Sequence, residues 1–407
     1  MTTEPAAGAG TFPVPRACPF RLPPEYELLR SRRRPVRVRM AGGNTAWLVA
    51  RHEDARKVLS DPRMSVDRRR EGFPRFAPVT EEERQASFRG FRPPMNWMDP
   101  PEHTAARRSV RAEFSPARTE ALRPRIQEIA DRRLDLMAAG PRPVDLVRAL
   151  AAPVPSVVIC ELLGVPYAVR GHFEERTGRM FSHATPAAER TRAAHEIRSL
   201  LSAVVADKER DPPDDLLGRL VARGRREGAH DREAVVSMAF VLLVAGHSTT
   251  ADMIALGVLT LLEHPDQLAR MVADPARTPL AVDELLRYLS VVNASTARTA
   301  LADVEVGGVT VRAGEGVVVL GPAANRDPEV FERPDEFDAL RGGGRHLAFG
   351  VGRHRCIGHR LARMELQIVL DTLFRRVPGL RLAVPFEGLS FKEKANIFGV
   401  DELPVTW

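Results

Sequence analysis

The sequence predicts a mainly α-helical fold with small peripheral β-sheets. Helical segments studded with acidic and basic side chains dominate the middle of the chain, and they include residues 116–138, 187–207 and 232–262. Short valine-rich runs near both ends are typical of strands. These runs are residues 36–39, 46–49, 304–306, 309–311 and 317–320.

The whole chain, residues 1–407, is predicted to be one domain. Hydrophobic residues make up 44% of the sequence and charged residues 28%, a balance that allows a sizeable core. No repeat, low-complexity stretch or linker separates the two halves. Residues 1–24 are rich in Pro, Ala and Gly, and they are predicted to be an extended or poorly ordered lead-in.

The charge pattern argues against a nucleic-acid partner. The net charge is +7, and Arg supplies nearly all the cations, because Lys occurs only at positions 57, 208, 392 and 394. The arginines are scattered among acidic residues, and no nucleic-acid-binding motif accompanies them. Solvated helix faces explain this pattern better.

The cysteine residues and the N-terminal sequence indicate in which cellular compartment the protein is expected. Cys18, Cys160 and Cys356 are odd in number and widely spaced, so they cannot form a disulfide framework, and a reducing, cytoplasmic location is expected. The chain does not open with a basic region followed by an apolar one. Neither secretion nor an N-terminal membrane anchor is therefore expected.

The longest predicted helix, residues 234–263, is apolar on all sides but has a polar notch at mid-length. The notch is His247-Ser248-Thr249-Thr250, with Asp252 close behind it. A membrane-spanning helix needs about 20 apolar residues without such an interruption. The pattern therefore predicts the buried spine of a large protein, in which polar side chains at such depth need partners or a function.

A loop around Cys356 carries most of the functional argument. Gly350 and Gly352 allow a tight turn, and a helix predicted from about His359 directs its positive dipole end at Cys356, which favours thiolate over thiol. No second Cys or pair of His lies at the spacing of a zinc site. The loop therefore suits Cys356 as a single axial ligand.

The pattern F-G-x-G-x-H-x-C-x-G, present here in full, resembles that of the cytochrome P450 family. The resemblance runs through almost the whole chain and is strongest to soluble actinobacterial enzymes that tailor natural products. It implies a P450 fold, with haem b between the long central helix and the cysteine loop and Cys356 as its iron ligand. Cofactor contacts are expected from Ala245, Phe349, Gly350, His354, Cys356 and Gly358.

Two further groups of residues match the family. Glu284 and Arg287, three residues apart on one helix face, match the E-x-x-R pair, and the resemblance implies a structural clamp, with Arg341 as a third partner. A second group matches the residues that hold the haem propionates, which need charge-assisted donors. This group is His103, Arg107, Arg298 and His354.

The notch departs from the family pattern A-G-x-[acid]-T, because position 248 is Ser. Thr249 is expected to help deliver a proton during oxygen activation. Ser248 can relay a proton but is not a charged proton source near neutral pH. Three readings stay open: Ser248 with water or a substrate hydroxyl replaces the acid, the chemistry is peroxide-driven or oxidative coupling, or the protein is similar to the P450 nitric oxide reductases.

The resemblance implies a monooxygenase that hydroxylates or epoxidises a small, mainly apolar natural product. Electrons would come from a ferredoxin and its reductase, and the protein is expected to be a monomer. The pocket is predicted to be lined by Val241, Ala245, Asn293, Ala294 and Ile397. A catalytically silent scaffold is a remote alternative, since such a protein would typically lack the cysteine motif.

Overall fold

The computed structural model describes residues 11–90, 92–166, 170–182, 184–293, 296–342 and 344–407. Within these ranges the α-helices are α1 Pro24–Ser31, α2 His52–Ser60, α3 Glu81–Ala86, α4 Glu102–Val110, α5 Pro116–Ala121, α6 Arg123–Ala139, α7 Pro153–Leu163, α8 Arg170–Phe181, α9 Ala187–Arg210, α10 Leu216–Arg226, α11 Arg232–Glu263, α12 Pro265–Val272, α13 Thr278–Leu289, α14 Gly321–Ala324 and α15 His359–Arg376.

The strands are short and lie towards the two ends of the chain. They are β1 Val36–Arg39, β2 Thr45–Val49, β3 Met64–Ser65, β4 Val144–Asp145, β5 Ala297–Ala300, β6 Val304–Val306, β7 Val309–Val311, β8 Gly316–Val319, β9 Arg381–Leu382 and β10 Pro404–Thr406. All five strands expected from the sequence are present, with shifts of one residue at the ends of β2 and β8.

One predicted helix is divided in two. The expected helix over residues 116–138 is observed as α5 and α6, which are separated at Leu122. Pro124 stands in the first turn of α6. Proline is well tolerated there because its missing N–H would be unpaired at a helix start in any case, but it cannot continue an existing helix.

The chain divides into two compact units. The first comprises Met1–Thr80, Leu256–Cys356 and Ser390–Asp401, and the second comprises Glu81–Ala255, Ile357–Leu389 and Glu402–Trp407. Each unit draws on three separate stretches of the chain. The expectation that residues 1–407 form one domain stays a prediction.

The first unit contains a five-stranded sheet in the order β1-β2-β8-β5-β3 and the hairpin β6-β7. Strand β2 pairs in parallel with β8, with Leu48 opposite Val318, whereas the other neighbours are antiparallel. Both faces of this sheet are covered, and β8 is buried along its whole length. Continuous Val burial of this kind is expected of a strand packed on both faces.

The lead-in contributes to the core of the first unit from residue 11 onwards. Phe12 is buried and forms a parallel bridge with Met40. Arg16 is fully buried: its guanidinium donates to the carbonyls of Leu289 and Pro19, each at 2.7 Å, and lies 4.4 Å from the ring centroid of Phe398. Burial lowers the pKa of Arg16 to about 9, so the side chain keeps its charge at neutral pH.

The second unit is mostly helical. Helix α6 packs against α7 and α15, and α9 packs against α8 and α10. Arg376 of α15 reaches the carboxylates of Asp131 and Asp135 on α6, at 3.2 and 2.5 Å. The small sheet β4-β10-β9 also belongs to this unit.

Helix α11, Arg232–Glu263, is the predicted long helix, and its 32 residues confirm the expectation. Among the described residues it is the one helix long and apolar enough to cross a membrane, with a mean hydropathy of 1.6 over its most apolar window. Within the protein 72% of that window is buried. Its apolar surface is therefore already covered by protein, as in the core helix of a globular fold.

Candidate active site

The cysteine loop, residues 347–358, is shaped by two glycines in the left-handed region. Gly350 has φ 64° and Gly352 has φ 76°. A Cβ on Gly352 would lie 2.9 Å from the carbonyl oxygen of Leu59, so a larger residue is excluded by contact as well as by conformation. The loop closes where the N–H of Cys356 donates to the carbonyl of Phe349 at 2.9 Å.

This turn presents Cys356 on an accessible surface of the first unit. The residue is exposed and forms no disulfide. Helix α15 begins three residues later, with Gly358 as its N-cap. No cluster of three His, Cys, Asp or Glu side chains that could hold a metal ion occurs within the described part of the chain. Cys356 can therefore offer a metal one sulfur ligand, with the remaining ligands supplied by a bound group.

Asn325 ties the start of the cysteine loop to the body of the first unit. Its Oδ1 accepts a hydrogen bond from the N–H of Leu347 at 2.6 Å, and its Nδ2 donates to Ser290 Oγ at 2.8 Å. Close to it, Asp327 accepts from the N–H of His52 at 2.8 Å. Since Asn325 is fully buried, these bonds fix where the loop begins.

Glu284 and Arg287 form a bidentate pair on α13, at 2.7 and 2.8 Å, and both side chains are completely buried. Arg341 joins the pair, because its Nε donates to Glu284 Oε1 at 3.0 Å. Arg287 also donates to the carbonyls of Asn325 and Pro334. The two charges thus connect α13 to the chain segment that precedes the cysteine loop.

The notch of α11 lies in the second unit. The Thr249 hydroxyl donates to the carbonyl of Ala245 at 2.8 Å, so it replaces part of the helix's own hydrogen bonding at this turn. Ala245 is exposed, and Ser248 and Thr249 are half-buried. A Cβ on Gly246 would lie 3.0 Å from Ile159, which shows how closely this face of the helix packs against α7.

Comparisons with known proteins identify the family. A family model described as cytochrome P450 matches residues 276–377, which contain both the clamp and the cysteine loop. Cytochrome P450 105A3 of Streptomyces carbophilus is 45% identical over 401 residues, covering 98% of this chain and 96% of that protein. The chain belongs to the cytochrome P450 family.

Solved structures of P450s agree with this fold over nearly the whole length. P450 MoxA from Nonomuraea recticatena has a TM-score of 0.89 and 52% identity, covering 98% of each chain. The mycinamicin VIII C21 methyl hydroxylase MycCI from Micromonospora griseorubida, solved with mycinamicin VIII bound, has a TM-score of 0.92 and 39% identity, covering 98% and 100%. The mainly α fold with small sheets is confirmed, and the protein is a P450 monooxygenase whose cofactor is haem b.

The cysteine loop fits this cofactor. A haem iron would take one protein ligand besides the macrocycle, and Cys356 is an exposed thiol that belongs to no group of three metal-ligating side chains within the described residues. Gly350 has nothing within 4 Å of the position where a Cβ would stand. A flat group can therefore approach the turn without meeting a side chain at that position.

The residues predicted to hold the propionates lie in two places. His103 and Arg107 are one turn apart on α4 of the second unit, with His103 buried and Arg107 half-buried. Arg298 is buried on β5, where it donates to the carbonyl of Ala297. His354 is the last residue of a short 3-10 helix, Gly352–His354. Their role towards the propionates stays a prediction.

The predicted pocket residues are also divided. Val241 is buried on α11 of the second unit. In the first unit, Val292 bridges Ile397, and the N–H of Asn293 donates to the carbonyl of Asn396 at 3.1 Å, so these two segments run side by side. Ala294 lies outside the described residues.

Sequence reasoning missed the surroundings of His247. This side chain is buried and faces Phe173 and Glu174 of α8, which lie more than 70 positions earlier in the chain. The one available signal was an ionisable residue next to the position that lacks an acid. Nothing in the sequence indicated which residues would surround it.

Proposed function

We propose that this P450 hydroxylates or epoxidises a small-molecule natural product of secondary metabolism, with O2 and with electrons from a ferredoxin and its reductase. The proposal is carried by the structural match, over 98% of this chain, to a hydroxylase solved with mycinamicin VIII bound. The complete cysteine loop supports it. The cytoplasm is the proposed compartment, because all three cysteines are free of disulfides. The proposed state is a monomer.

Cys356 is the proposed iron ligand, and His103, Arg107, Arg298 and His354 are the proposed propionate partners. When bound, a haem with a thiolate ligand activates O2 and allows transfer of one oxygen atom to a substrate. The peptide N–H of Cys356 is held by Phe349, and this hydrogen bond fixes the direction in which the sulfur is presented.

Thr249 is proposed to handle the protons that this chemistry consumes. Its hydroxyl donates to the Ala245 carbonyl, so the lone pairs of its oxygen can accept a hydrogen bond from a proton donor. Ser248 stands beside it, with an oxygen that accepts and a proton that it can donate. Together they form a hydroxyl pair on the half-buried part of the notch.

Replacing Thr249 with alanine is expected to lower the product formed per NADH by roughly tenfold, less than the hundredfold or more typical of a lost proton-transfer group, because Ser248 keeps a hydroxyl beside it. Haem content and substrate binding are expected to stay unchanged, and the missing electrons should appear as hydrogen peroxide. The measurement compares NADH consumed, product and peroxide.

Thr260→Ala is the matched control, because Thr260 makes the same hydrogen bond within the same helix, to the Leu256 carbonyl at 2.6 Å. If both variants lose coupling equally, the effect belongs to the helix, and Thr249 has no part in proton transfer.

The substrate is proposed to be mainly apolar with at least one hydrogen-bond donor. Asn293 is buried, and its Oδ1 has no hydrogen-bond partner among the described residues. Leaving such an oxygen unpaired is unfavourable, so a hydroxyl or amide N–H of the substrate is a suitable partner for it. Ile397, which bridges Val292 in the same unit, provides apolar surface.

An optical titration of the ferric protein against natural-product scaffolds tests this function. Scaffolds of one class, apolar and carrying a hydroxyl or amide donor, are expected to displace water from the iron. This would convert the ferric iron from low spin to high spin, which is seen as a shift of the Soret band. A haem spectrum that no scaffold changes would contradict the proposed substrate class. A protein that takes up no haem after reconstitution would contradict the haem-thiolate assignment itself.

Arginines in and just after the cysteine loop are proposed to attract an acidic ferredoxin. Arg355 and Arg360 are exposed, and Arg353 and Arg363 are half-buried. Long-range attraction between exposed charges is screened by salt. The rate of reduction by ferredoxin is therefore expected to fall roughly tenfold between low and high ionic strength.

Arg355→Gln and Arg360→Gln should each weaken this salt dependence, whereas Arg210→Gln, at an exposed arginine on α9, should leave it intact. Reduction that is insensitive to salt in the unmodified protein would refute the arginine surface.

The serine at position 248 favours one alternative group of functions, peroxide-driven or oxidative-coupling chemistry and P450-type nitric oxide reduction. Nitric oxide reduction with NADH alone, without ferredoxin, would support the reductase alternative. Product formed from hydrogen peroxide as fast as from NADH and ferredoxin would support peroxide-driven chemistry.

A further inference from the structure

The side of α11 turned towards α7 and α8 carries an ionisable group next to the position that lacks an acid. The His247 side chain is only 8% exposed. Its Nδ1 lies 3.4 Å from Ser248 Oγ, at the long end of hydrogen-bond distance. The buried imidazole is thus linked to the hydroxyl that occupies the position of the family's usual carboxylate.

The other ring nitrogen of His247 faces a carboxylate. Within the described part of the chain Nε2 makes no hydrogen bond, and it lies 3.5 Å from Glu174 Oε1, within the range of an ion pair. Glu174 is 25% exposed on α8, so it connects the buried ring to solvent. A carboxylate at this nitrogen orients the ring, with Nε2 towards Glu174 and Nδ1 towards Ser248.

The neighbours hold this arrangement in place. The hydroxyl of Ser156, on α7, donates to Glu174 Oε1 in a short hydrogen bond. The ring of Phe173 packs edge-on against His247 at 5.5 Å between centroids. Among the described contacts, the groups that face the imidazole from α7 and α8 are the Glu174 carboxylate, the Ser156 hydroxyl hydrogen-bonded to that carboxylate, and the Phe173 ring.

We propose that His247, oriented by Glu174, is the proton donor that takes the place of the missing acid at position 248, acting through Ser248. This inference rests on the proposed function, because it assigns the source of the protons that Thr249 and Ser248 deliver. The proton source then stands one residue before position 248, and the carboxylate that orients it stands on the neighbouring helix α8.

The proton transfer from His247 through Ser248 needs no reactant other than water, which returns the proton to the ring. Starting from the doubly protonated ring, the N–H bond at Nδ1 breaks as an O–H bond forms at Ser248 Oγ. The proton originally on that hydroxyl leaves towards Thr249. The ring keeps its Nε2 proton beside Glu174 and regains the Nδ1 proton from water between turnovers. No electron is transferred in this step.

Asp252 is the rival proton source. It is buried on α11, four residues after Ser248 and therefore on the same helix face. Asp252→Asn accordingly belongs in the test as a competing variant.

The first experiment locates the proton without using turnover. The haem-loaded protein in its ferrous carbon monoxide form, labelled with 15N-histidine, is compared with the Glu174→Gln and Ser248→Ala variants, and His247→Gln identifies the signal. The Nδ1 of His247 is expected to carry a proton, and its signal is expected to shift in Ser248→Ala and in Glu174→Gln. Glu175→Gln, the neighbouring carboxylate paired with Arg179 on the surface of α8, is the matched control and should change nothing. An Nδ1 that carries no proton, or that responds equally to both Glu variants, overturns the proposal.

The second experiment tests the consequence for coupling, with the scaffold that gives the largest spin shift in the titration. His247→Gln and Glu174→Gln are expected to lower product per NADH by at least threefold, while Glu175→Gln leaves it unchanged. Ser248→Glu, introduced into His247→Gln, should restore coupling, which a purely structural loss would not allow. The relay is overturned if product per NADH falls in Asp252→Asn but not in His247→Gln or Glu174→Gln. It is also overturned if Ser248→Glu does not restore product per NADH in His247→Gln. If the parent protein forms no product with any scaffold, the proposed function fails, and the nitrogen spectra still decide the proposal on His247.

Discussion

Replacing Cys356 with alanine is expected to abolish monooxygenation. Alanine offers no ligand atom, and no cluster of His, Cys, Asp or Glu within the described residues could hold the metal instead. Haem that still associates with the protein would lack the thiolate and therefore its effect on O–O cleavage. The measurements are the ferrous carbon monoxide spectrum, which should lose its thiolate signature, and product formation with the spin-shifting scaffold.

Cys18→Ser is the control for the loss of a thiol. Cys18 is half-buried in the lead-in, and its structural part in the core is its carbonyl, which accepts from Arg16 Nε at 3.1 Å. Serine keeps that carbonyl, so spectrum and activity should be retained. Monooxygenation by Cys356→Ala at a rate near that of the parent would remove Cys356 from the role of iron ligand.

Replacing Glu284 with glutamine is expected to destabilise the protein by about 3–5 kcal/mol, the usual result of removing one partner of a buried ion pair. Glutamine has nearly the same shape, but it leaves the Arg287 guanidinium without a countercharge in a fully buried position. It also weakens the acceptor used by Arg341 and by the N–H of Asp338. Chemical denaturation should show a lower midpoint, and haem should be released more readily, since this cluster holds the segment leading to Cys356.

The matched control is Glu336→Gln. Glu336 also pairs with an arginine three residues away, Arg333 at 2.9 Å, but both side chains of that pair are 62% exposed. Exposed pairs contribute less than about 1 kcal/mol because water solvates the separated charges well. Equal destabilisation by the two substitutions would show that burial of the clamp has no special importance for the fold.

The cysteine loop was predictable from sequence because its geometry is local. Gly350, Gly352 and Cys356 lie within seven residues, and the positive φ angles that require glycine belong to the loop itself. The clamp could likewise be anticipated from Glu284 and Arg287, which one helix turn brings together. Arg341 was a weaker expectation, since its contact with Glu284 spans 57 positions.

Features defined by distant partners were missed. Strands β3, β4 and β9 have two residues each, and they exist because a neighbouring strand pairs with them, not through any pattern of their own. The division between α5 and α6 had a visible cause in Pro124, but the continuing charged pattern concealed it. The contact between His247 and Glu174 depends on how α8 packs against α11, and periodicity alone does not determine that packing.

The buried Arg16 limits how this enzyme can be recombined with its relatives. Its guanidinium is bonded to the carbonyls of Leu289 and Pro19 and stacked on Phe398, so the lead-in is in direct contact with both segments that border Asn293 and Ile397. Substitutions among side chains in such contact are not additive. In chimeras built to change substrate range, residues 11–20, 289–293 and 396–398 should therefore be exchanged as one block.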